Sequence, residues 1–449
     1  SLTTDGSGAA MLGVLADRTY RNLFLAQAIS LVGTGLSTVA LALLAYDIAG
    51  DKAGAVLGTA LFIKMAAYVG LSPVAGAFAG LLPRRAFLVS LDAIRAGVAL
   101  MLPFVTHVWQ VYLLIFVLQS ASAAFTPTFQ ATIPDVLPDE GDYTKALSLS
   151  RLAYDLENLL SPAIAGALLT VMSFHDLFMG TALGFVLSAL FVLSVALPSP
   201  RPSRARSIYD RLFRGARIFL ATPRLRGLVA VNLAVAAAGA MVFVNTVVFV
   251  QSRLGFAEQQ TALALAAFGG GSMAVALALP RLLARVPDRN AILAGGIVLA
   301  AGTATAAVVG GFTMLLGLWF VLGCGYSLAL TPSGRLLRRS THAEDRPAIF
   351  AAQFALSHAC WLLTYPVAGW IGAVMGLPVS ALVLGSLAGA SVIGAVLLWP
   401  ASDPETMEHE HPDLPDGHPH LASGEHRGDH RHAHPYVIDD LHFMWPHGR

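Results

Sequence analysis

Residues Ser148–Val171 read SLSRLAYDLENLLSPAIAGALLTV, an apolar span long enough to cross a bilayer that nevertheless carries several charges. Each charge at the centre of such a span costs about 2.5 to 3.5 kcal/mol on insertion scales. At 1.5 Å per residue from Lys145, Asp155 lies about 15 Å deep, near the middle of a hydrocarbon core of about 30 Å. The stretch therefore predicts a membrane helix with a polar site near the bilayer midplane.

The polar residues of this span divide between two directions. Arg151, Asp155 and Asn158 follow i, i+4 and i+7 and so share one helix face, whereas Glu157 points elsewhere. One interpretation is a structural ion pair between Arg151 and Asp155, one turn apart, that holds helices together. The other is a substrate or proton site in a transport pathway, and the span alone leaves both open.

The composition of the chain indicates an integral membrane protein. Its 449 residues are 56% hydrophobic and only 12% charged, and the mean hydropathy is +0.67, so there are too few charges to cover a soluble globule. A net charge of +1 gives no indication of nucleic-acid binding. Cys324 and Cys360 both lie in apolar spans and form no CxxC pair, so neither a disulfide framework nor a thiolate metal site is expected.

Twelve apolar spans follow one another along the chain, and they predict an all-α membrane protein. They lie at about 22–49, 54–80, 86–105, 109–131, 146–171, 175–197, 226–250, 258–283, 290–310, 312–334, 347–374 and 376–399. We expect four regions: an N-terminal six-helix half at 1–197, a basic linker at 198–225, a C-terminal six-helix half at 226–400 and a tail at 401–449.

Arginines collect in alternate connections, and the positive-inside rule assigns those connections and both termini to the cytoplasm. The longest connection, 198–225, holds seven of them, and an eighth follows directly: they are Arg201, Arg204, Arg206, Arg211, Arg214, Arg217 and Arg224, and then Arg226. Apolar residues interleave with these arginines, which predicts a short amphipathic helix on the membrane surface. A basic tether that only fixes topology is the alternative.

The two halves repeat each other in sequence. A shift of 205 puts Gln27 on Asn232, and a shift of 203 puts Asp155 on His358. Two parallel six-span halves are typical of a secondary transporter with its site between them. His358 is the only histidine at mid-membrane depth, and it is either a packing residue or, facing Asp155 across the pseudo-two-fold axis, a ligand or proton carrier.

The tail has a different composition, with ten of the fourteen histidines of the chain. Prolines and glycines preclude a long helix, so we expect disorder until something binds. Its His-x-His pairs predict binding of a divalent ion such as Ni2+, Zn2+, Co2+ or Cu2+. The candidate ligands are His409, His411, His418, His420, His426, His430, His432 and His434. An engineered tag or a solvated polar tail are the alternatives, although a tag would be an unbroken histidine run.

Twelve spans in two pseudo-symmetric halves, cytoplasmic termini and a basic central loop resemble the major facilitator superfamily over about residues 18 to 400. The superfamily signature after the second span reads AGLLPRRAF here, which keeps Gly80, Arg84 and Arg85 but lacks the acidic residue. The resemblance implies the major facilitator fold. The missing acid makes a signature-based gating pair at this loop doubtful.

The SRLAYDLENLLSPA segment and the histidine-rich tail also resemble bacterial nickel-resistance efflux permeases. That resemblance implies a multi-pass protein of the bacterial inner membrane that exports Ni2+, or Co2+, to the periplasm in exchange for protons by alternating access. We expect a monomer that needs no cofactor beyond the metal bound by its tail and that binds no nucleic acid. The expected pathway residues are Asp155, Glu157, Asn158, His358, Arg151, Gln27 and Asn232.

Two other functions remain open. One is export of an organic small molecule or drug with a regulatory metal-binding tail, which the aromatic stripe of Phe354, Trp361 and Tyr365 would suit. The other is a membrane metal sensor or storage protein whose bundle does not transport. The sequence contains no catalytic triad, Walker loop or nucleotide fingerprint, so we predict neither an enzyme nor an ATP-driven pump.

Overall fold

The computed structural model describes residues 11–49, 53–199, 207–404, 406–411, 420, 425–426 and 431–446. The helices, in chain order, are α1 Arg18–Ala49, α2 Ala53–Ala79, α3 Arg84–Met101, α4 Val108–Val136, α5 Glu140–Leu168, α6 Phe174–Leu193, α7 Ile208–Ala221, α8 Pro223–Val247, α9 Glu258–Leu283, α10 Asp288–Thr305, α11 Phe312–Leu330, α12 Ser333–Arg339, α13 Arg346–Met375 and α14 Leu377–Leu398. The strands are β1 Met407–Glu410, β2 Glu425–His426 and β3 Arg431–His434.

The twelve predicted spans correspond to α1–α6, α8–α11, α13 and α14. Within the described ranges, eleven helical segments are long and apolar enough to cross a membrane. The twelfth span, α5, is not among them, because Arg151, Asp155 and Glu157 interrupt its most apolar part. The prediction of an all-α fold with twelve spans in two halves is confirmed.

Each half repeats the same packing. In the first half α1 packs on α6 and α2 on α4; in the second, α8 packs on α14 and α9 on α11. A hydrogen bond repeats as well: Ser150 Oγ donates to Gln27 Oε1 at 3.0 Å, and Asn232 Nδ2 donates to Gln353 Oε1 at 3.2 Å. These bonds join α1 to α5 and α8 to α13, so the sequence repeat corresponds to a pseudo-two-fold relation in space.

Glycines bring α9 and α11 into backbone contact. A Cβ added to Gly271 would lie 1.9 Å from the Phe320 carbonyl oxygen, and one added to Gly323 would lie 1.9 Å from the Phe268 carbonyl oxygen. Small residues at such crossings let helices approach closely where the hydrophobic effect gives no drive for association. The C-terminal half therefore depends on these two positions having no side chain.

Two interfaces join the halves: α5 packs on α9, and α2 packs on α13. In the second interface, Ser72 Oγ donates to the Ala351 carbonyl oxygen at 3.1 Å. Gly76 lies so close to α13 that an added Cβ would meet the Ala351 methyl group at 2.5 Å. Since α5 and α13 are related by the pseudo-two-fold axis, they occupy different interfaces.

One end of the bundle, here called the basic face, carries the connections α2–α3, α4–α5, α6–α8, α9–α10 and α11–α13 together with the tail. Asp135, in the last turn of α4, forms ion pairs with Arg84 of its own half and with Arg346 of the other half. Arg335 pairs with Glu140 across the halves and with Asp288 at 2.9 Å. The halves are thus closed at the basic face.

Arg84 belongs to the signature after the second span, in which the acidic residue is missing, and its ion pair shows where it finds a partner instead. Arg84 is buried and takes its partner from the end of α4 rather than from its own loop. The cavity between the halves runs from near this face, where Ile133, Tyr143 and Leu337 line it, to the opposite end, where Leu41, Leu57 and Leu61 line it. The positive-inside rule predicts that the basic face is cytoplasmic.

The linker forms the amphipathic helix that its sequence predicts, α7, which packs on α2, α8 and α13. Gly215, Ile218 and Phe219 are buried, and a Cβ on Gly215 would lie 2.1 Å from the Ala348 carbonyl oxygen of α13. Because α2 and α13 belong to different halves, α7 bridges them on the basic face. Arg201, Arg204 and Arg206 lie outside the described residues.

The described part of the tail differs from the disorder that its composition predicts. Strands β1, β3 and β2 form an antiparallel sheet in that order, with His409 opposite His432. Histidines alternate with other residues along β1 and β3, and this period of two puts imidazoles on one face of each strand. The prediction of disorder relied on the prolines and glycines of the tail and did not take this alternation into account.

We predict that Gly323→Ala destabilises the protein, because the added methyl group forces α11 away from the α9 backbone. Overpacking of this kind costs about 1 to 3 kcal/mol. Equilibrium unfolding in mixed detergent micelles measures the change. Gly317→Ala, on the same helix with nothing within 4 Å of the added Cβ, is the matched control and should leave stability unchanged or slightly raised. Equal stability of both variants would contradict the backbone contact.

Candidate transport cavity and tail histidine cluster

A cavity of about 920 Å3 lies between the two halves. Its wall is amphipathic, with aromatic rings and polar side chains intermixed. The aromatic side chains include Tyr68, Phe125, Tyr154, Tyr326, Phe354 and Trp361, and the polar ones include Gln27, Lys64, Gln119, Gln130, Arg151, Glu157, Asn158, Gln353 and His358. The volume falls in the range of sites for drug-sized ligands, about 300 to 1,000 Å3.

The ion pair predicted on α5 is present. Arg151 Nε donates to the Asp155 carboxylate oxygens at 3.0 and 3.1 Å, and Ser272 Oγ of α9 donates to Asp155 at 2.6 Å. The Arg151 guanidinium lies over the Tyr326 ring, 5.0 Å from its centroid. Arg151 lines the cavity, whereas Asp155 is buried behind the wall. The geometry of Asp155 is that of a paired structural carboxylate.

Glu157 is the cavity-facing carboxylate of α5. The sequence directs it away from the site face, but the structure puts it and Asn158 in the cavity wall. Glu157 is half-buried and has no hydrogen-bond partner among the described residues, and its charged neighbour is Lys64. A carboxylate in this position is available to a proton or to a bound cation.

His358 also lines the cavity, on the side away from Asp155. Its Nδ1 lies 2.7 Å from the Phe354 carbonyl oxygen, and its ring meets Tyr68 of α2 edge-on, 4.8 Å between centroids. Symmetry explains this placement: residues equivalent under the repeat sit in opposite interfaces, so Asp155 contacts α9 while His358 contacts α2. The two do not form a joint site.

Gln27 and Asn232 hold equivalent places and are both buried, but only Gln27 lines the cavity. Asn232 reaches the wall through Gln353. Sequence reasoning missed Gln353, although the shift of 203 that pairs Asp155 with His358 also pairs Ser150 with Gln353. It also missed Tyr68, which donates to Gln119 at 2.9 Å. No repeating pattern of polar residues in its span singled out Tyr68.

The tail contains a second site. Nε2 atoms of six histidines converge: His409 and His442 are 2.9 Å apart, His442 and His411 3.2 Å, and His411 and His420 3.1 Å. His420 is also 3.2 Å from His432 and 3.3 Å from His434. Five of the eight predicted ligands are therefore brought together. His418 and His430 lie outside the described residues, as does the His426 side chain, and His442 was not among the predicted ligands.

Burial and the neighbouring imidazoles lower the pKa of His409 and His420 to about 4, so both rings are neutral at pH 7. Burial opposes ionisation of Asp439, yet hydrogen bonds from His342 and His442 hold the pKa of that carboxyl well below its usual value. Two neutral imidazoles with an ionised carboxylate near them are in the protonation state that a metal ion requires of its ligands.

Comparison with known proteins identifies the family. A family model of the Major Facilitator Superfamily matches residues 23–312 and 228–428, and the chain belongs to this superfamily. It is 23% identical over 339 residues to an uncharacterized MFS-type transporter, YfiS, of Bacillus subtilis (strain 168), covering 71% of this chain and 78% of that protein. It is 28% identical over 152 residues to macrolide efflux protein A of Streptococcus pyogenes, covering 31% of this chain and 37% of that protein.

Solved structures share the fold at low identity. The human organic anion transporter MFSD10 (TETRAN) superposes with a TM-score of 0.73 at 14% identity, covering 84% of this chain and 99% of that one. The fucose:proton symporter FucP of E. coli, in the outward conformation, superposes with a TM-score of 0.69 at 14% identity, covering 85% and 98%. At these identities the likeness concerns the fold alone.

We predict that Asp155→Ala lowers the free energy of unfolding by about 3 to 5 kcal/mol, because it leaves Arg151 buried without a partner. The double variant Arg151→Leu with Asp155→Leu should recover most of that loss. Unfolding in mixed micelles measures both, with Asp47→Ala, an exposed carboxylate at the far end of α1, as the control. If Asp155→Ala is as stable as the unmodified protein, the pair is not structural and Asp155 returns as a proton site.

Proposed function

We propose that the protein is a secondary exporter of an amphipathic organic amine, driven by proton antiport and working by alternating access. The observation that carries this proposal is the cavity, which combines an aromatic wall with one carboxylate that lacks a hydrogen-bond partner. The transported molecule would bind between the halves, and the halves would rock about it.

The cavity chemistry favours an organic molecule over a bare ion. Among the described residues, clusters of three or more metal-ligating side chains occur only in the tail, and none lies in the cavity. Tyr68, Phe354 and Trp361 provide ring faces that suit apolar groups and organic cations. A single metal ion would leave most of a 920 Å3 cavity filled with water.

Glu157 provides the coupling. A protonated amine and a proton would compete for the same carboxylate, so binding of one releases the other. Lys64 keeps the local charge balanced when Glu157 is ionised, and the other cations of the cavity wall, Arg95 and Arg151, are already paired with Asp92 and Asp155. His358 lies with Lys64 beside the α2–α13 interface.

Orientation identifies the conformational state, and the similarity to efflux proteins supports the direction of transport. With the basic face in the cytoplasm of a bacterial inner membrane, the closed basic face and a cavity reaching the other way correspond to an outward-facing state. The similarity to macrolide efflux proteins, although it spans about a third of their length, agrees with export of an organic molecule.

Export of Ni2+, which the sequence favours, is the second candidate function. One specific observation supports it: the converging tail histidines, which lie at the basic face where cytoplasmic metal would arrive. In that case Glu157, Asn158 and His358 would have to assemble a transient site in the cavity from separate interfaces.

We predict that Glu157→Gln reduces substrate-driven proton flux at least tenfold in proteoliposomes, because the amide cannot exchange a proton. The probes are erythromycin, ethidium and Ni2+, each added to protein of the same batch. Asp47→Asn, which removes an exposed carboxylate outside the cavity, is the control and should retain full flux.

The choice of probe separates the two candidate functions. Flux with an organic amine but not with Ni2+ supports the proposed exporter. Flux with Ni2+ alone would replace it by metal export, and full flux in Glu157→Gln would remove Glu157 from the coupling step.

A further inference from the structure

We propose that the tail histidine cluster binds one divalent transition-metal ion and that the bound ion, acting through Asp439 and Asp440, holds the basic face of the transporter closed. The cluster consists of His409, His411, His420, His432, His434 and His442. This inference goes beyond the proposed transport function, since both of its parts can be measured without any transported substrate.

The nitrogen contacts in the cluster cannot all be hydrogen bonds. A ring nitrogen carries either one hydrogen or one lone pair, yet Nε2 of His420 lies 3.1 to 3.3 Å from three other Nε2 atoms. Nitrogens bound to one ion at about 2.1 Å lie about 3.0 Å apart in an octahedron and about 3.4 Å apart in a tetrahedron. The observed spacings of 2.9 to 3.3 Å match ligands around a shared cation.

Hydrogen bonds on the other ring nitrogens fix the tautomers. Nδ1 of His409 lies 3.1 Å from the Met407 carbonyl oxygen, that of His434 lies 2.9 Å from the Pro435 carbonyl oxygen, and that of His442 lies 2.9 Å from Asp439. Each Nδ1 must donate to its oxygen, so whenever such a ring is neutral its Nε2 presents a lone pair. Two facing lone pairs on His409 and His442, 2.9 Å apart, repel each other unless a proton or a metal ion lies between them.

The donor set selects the class of ion. Among the described residues, the converging ligands are six imidazoles and no carboxylate, a set that suits Ni2+, Co2+, Zn2+ or Cu2+ and not Mg2+ or Ca2+, which prefer oxygen. The carboxylate of Asp439 stands behind His442, the arrangement that orients metal-ligating histidines elsewhere in proteins.

Asp439 and Asp440 connect the cluster to the transporter. Asp439 Oδ2 lies 3.3 Å from His342 Nε2, in the connection that leads into α13, while its Oδ1 holds His442. Asp440 accepts from Arg214 of α7 at 2.7 Å. Both carboxylates therefore contact parts of the basic face that lie outside the tail.

Further contacts connect Arg214 to the ion pair that joins the two halves at the basic face. Arg214 also donates to Asp345 at 2.9 Å, and the next residue, Arg346, forms the ion pair with Asp135 of the other half. α7, which carries Arg214, packs on both α2 and α13. An ion that orders the cluster thus fixes the groups that bridge the halves, and it favours whichever state of the bundle keeps those groups together.

The binding test uses the full-length protein in nanodiscs with Ni2+ and, separately, Mg2+ in titration calorimetry. We expect one Ni2+ per chain, no measurable Mg2+, and at least a tenfold loss of affinity in His409→Ala with His442→Ala. Asp439→Asn should lower affinity about 10- to 100-fold, as loss of an orienting carboxylate does. His107→Ala with His175→Ala should change nothing, because these exposed and partly exposed histidines lie outside the cluster and at the opposite end of the bundle.

The closure test measures a distance across the basic face. Spin labels at Leu81→Cys and Ala284→Cys, both exposed and one in each half, are placed in a background with Cys324→Ser and Cys360→Ser. With diamagnetic Zn2+, we expect the share of the short-distance population to rise at least threefold. Asp440→Asn, which keeps all six imidazoles, should still bind Zn2+ but lose that response.

The outcomes separate the two parts of the inference. Absence of stoichiometric Ni2+ binding, or binding unaffected by the His409 and His442 variants, would overturn the metal site. Tight binding with unchanged distances, or an equal shift in Asp440→Asn, would overturn the coupling. Neither result bears on whether Glu157 couples transport to protons.

Discussion

The buried ion pair between Arg151 and Asp155 constrains how the two halves can meet. Two charges at mid-membrane depth are tolerated only when their remaining hydrogen-bonding capacity is satisfied. Here the additional partners come from the other half, because Ser272 donates to Asp155 and the Tyr326 ring covers Arg151. The ion pair therefore stabilises the contact of α5 with α9 at this depth, and under the alternating access proposed above that contact would be the pivot.

Pairing also decides which charges remain for function. Arg95 is held by Asp92 and lies between the rings of Phe125 and Phe185, so this cation, like Arg151, is compensated within the wall. What remains facing the cavity is Glu157 with Lys64 near it. A cavity whose structural charges are neutralised, and whose one available carboxylate lies among aromatic rings, discriminates by a single charge and by shape, which is the chemistry of a site for amphipathic molecules.

The sequence predicted the fold well because bilayer thickness and helix geometry leave few alternatives. The span expected at 258–283 is α9, Glu258–Leu283, and the internal repeat anticipated the equivalent places of Gln27 and Asn232. The site was predicted less well. Both Asp155 and Glu157 were expected in the pathway, and periodicity, which gives the face of a helix but not its neighbours, did not distinguish the buried Asp155 from the cavity-lining Glu157. Which face of α5 meets α9 is decided by packing with residues more than a hundred positions away.

The tail shows the opposite failure, since composition alone predicted disorder. Its described residues are held by contacts that cannot be recognised within the tail itself: Arg224 meets Asp403 and the Tyr436 carbonyl oxygen, and Trp445 lies under the same guanidinium. Such docking makes the cluster a part of the basic face. The proposed metal site and the proposed transport of an organic molecule then cease to compete as explanations of one function, because the histidine cluster lies at the basic face and the cavity lies between the halves.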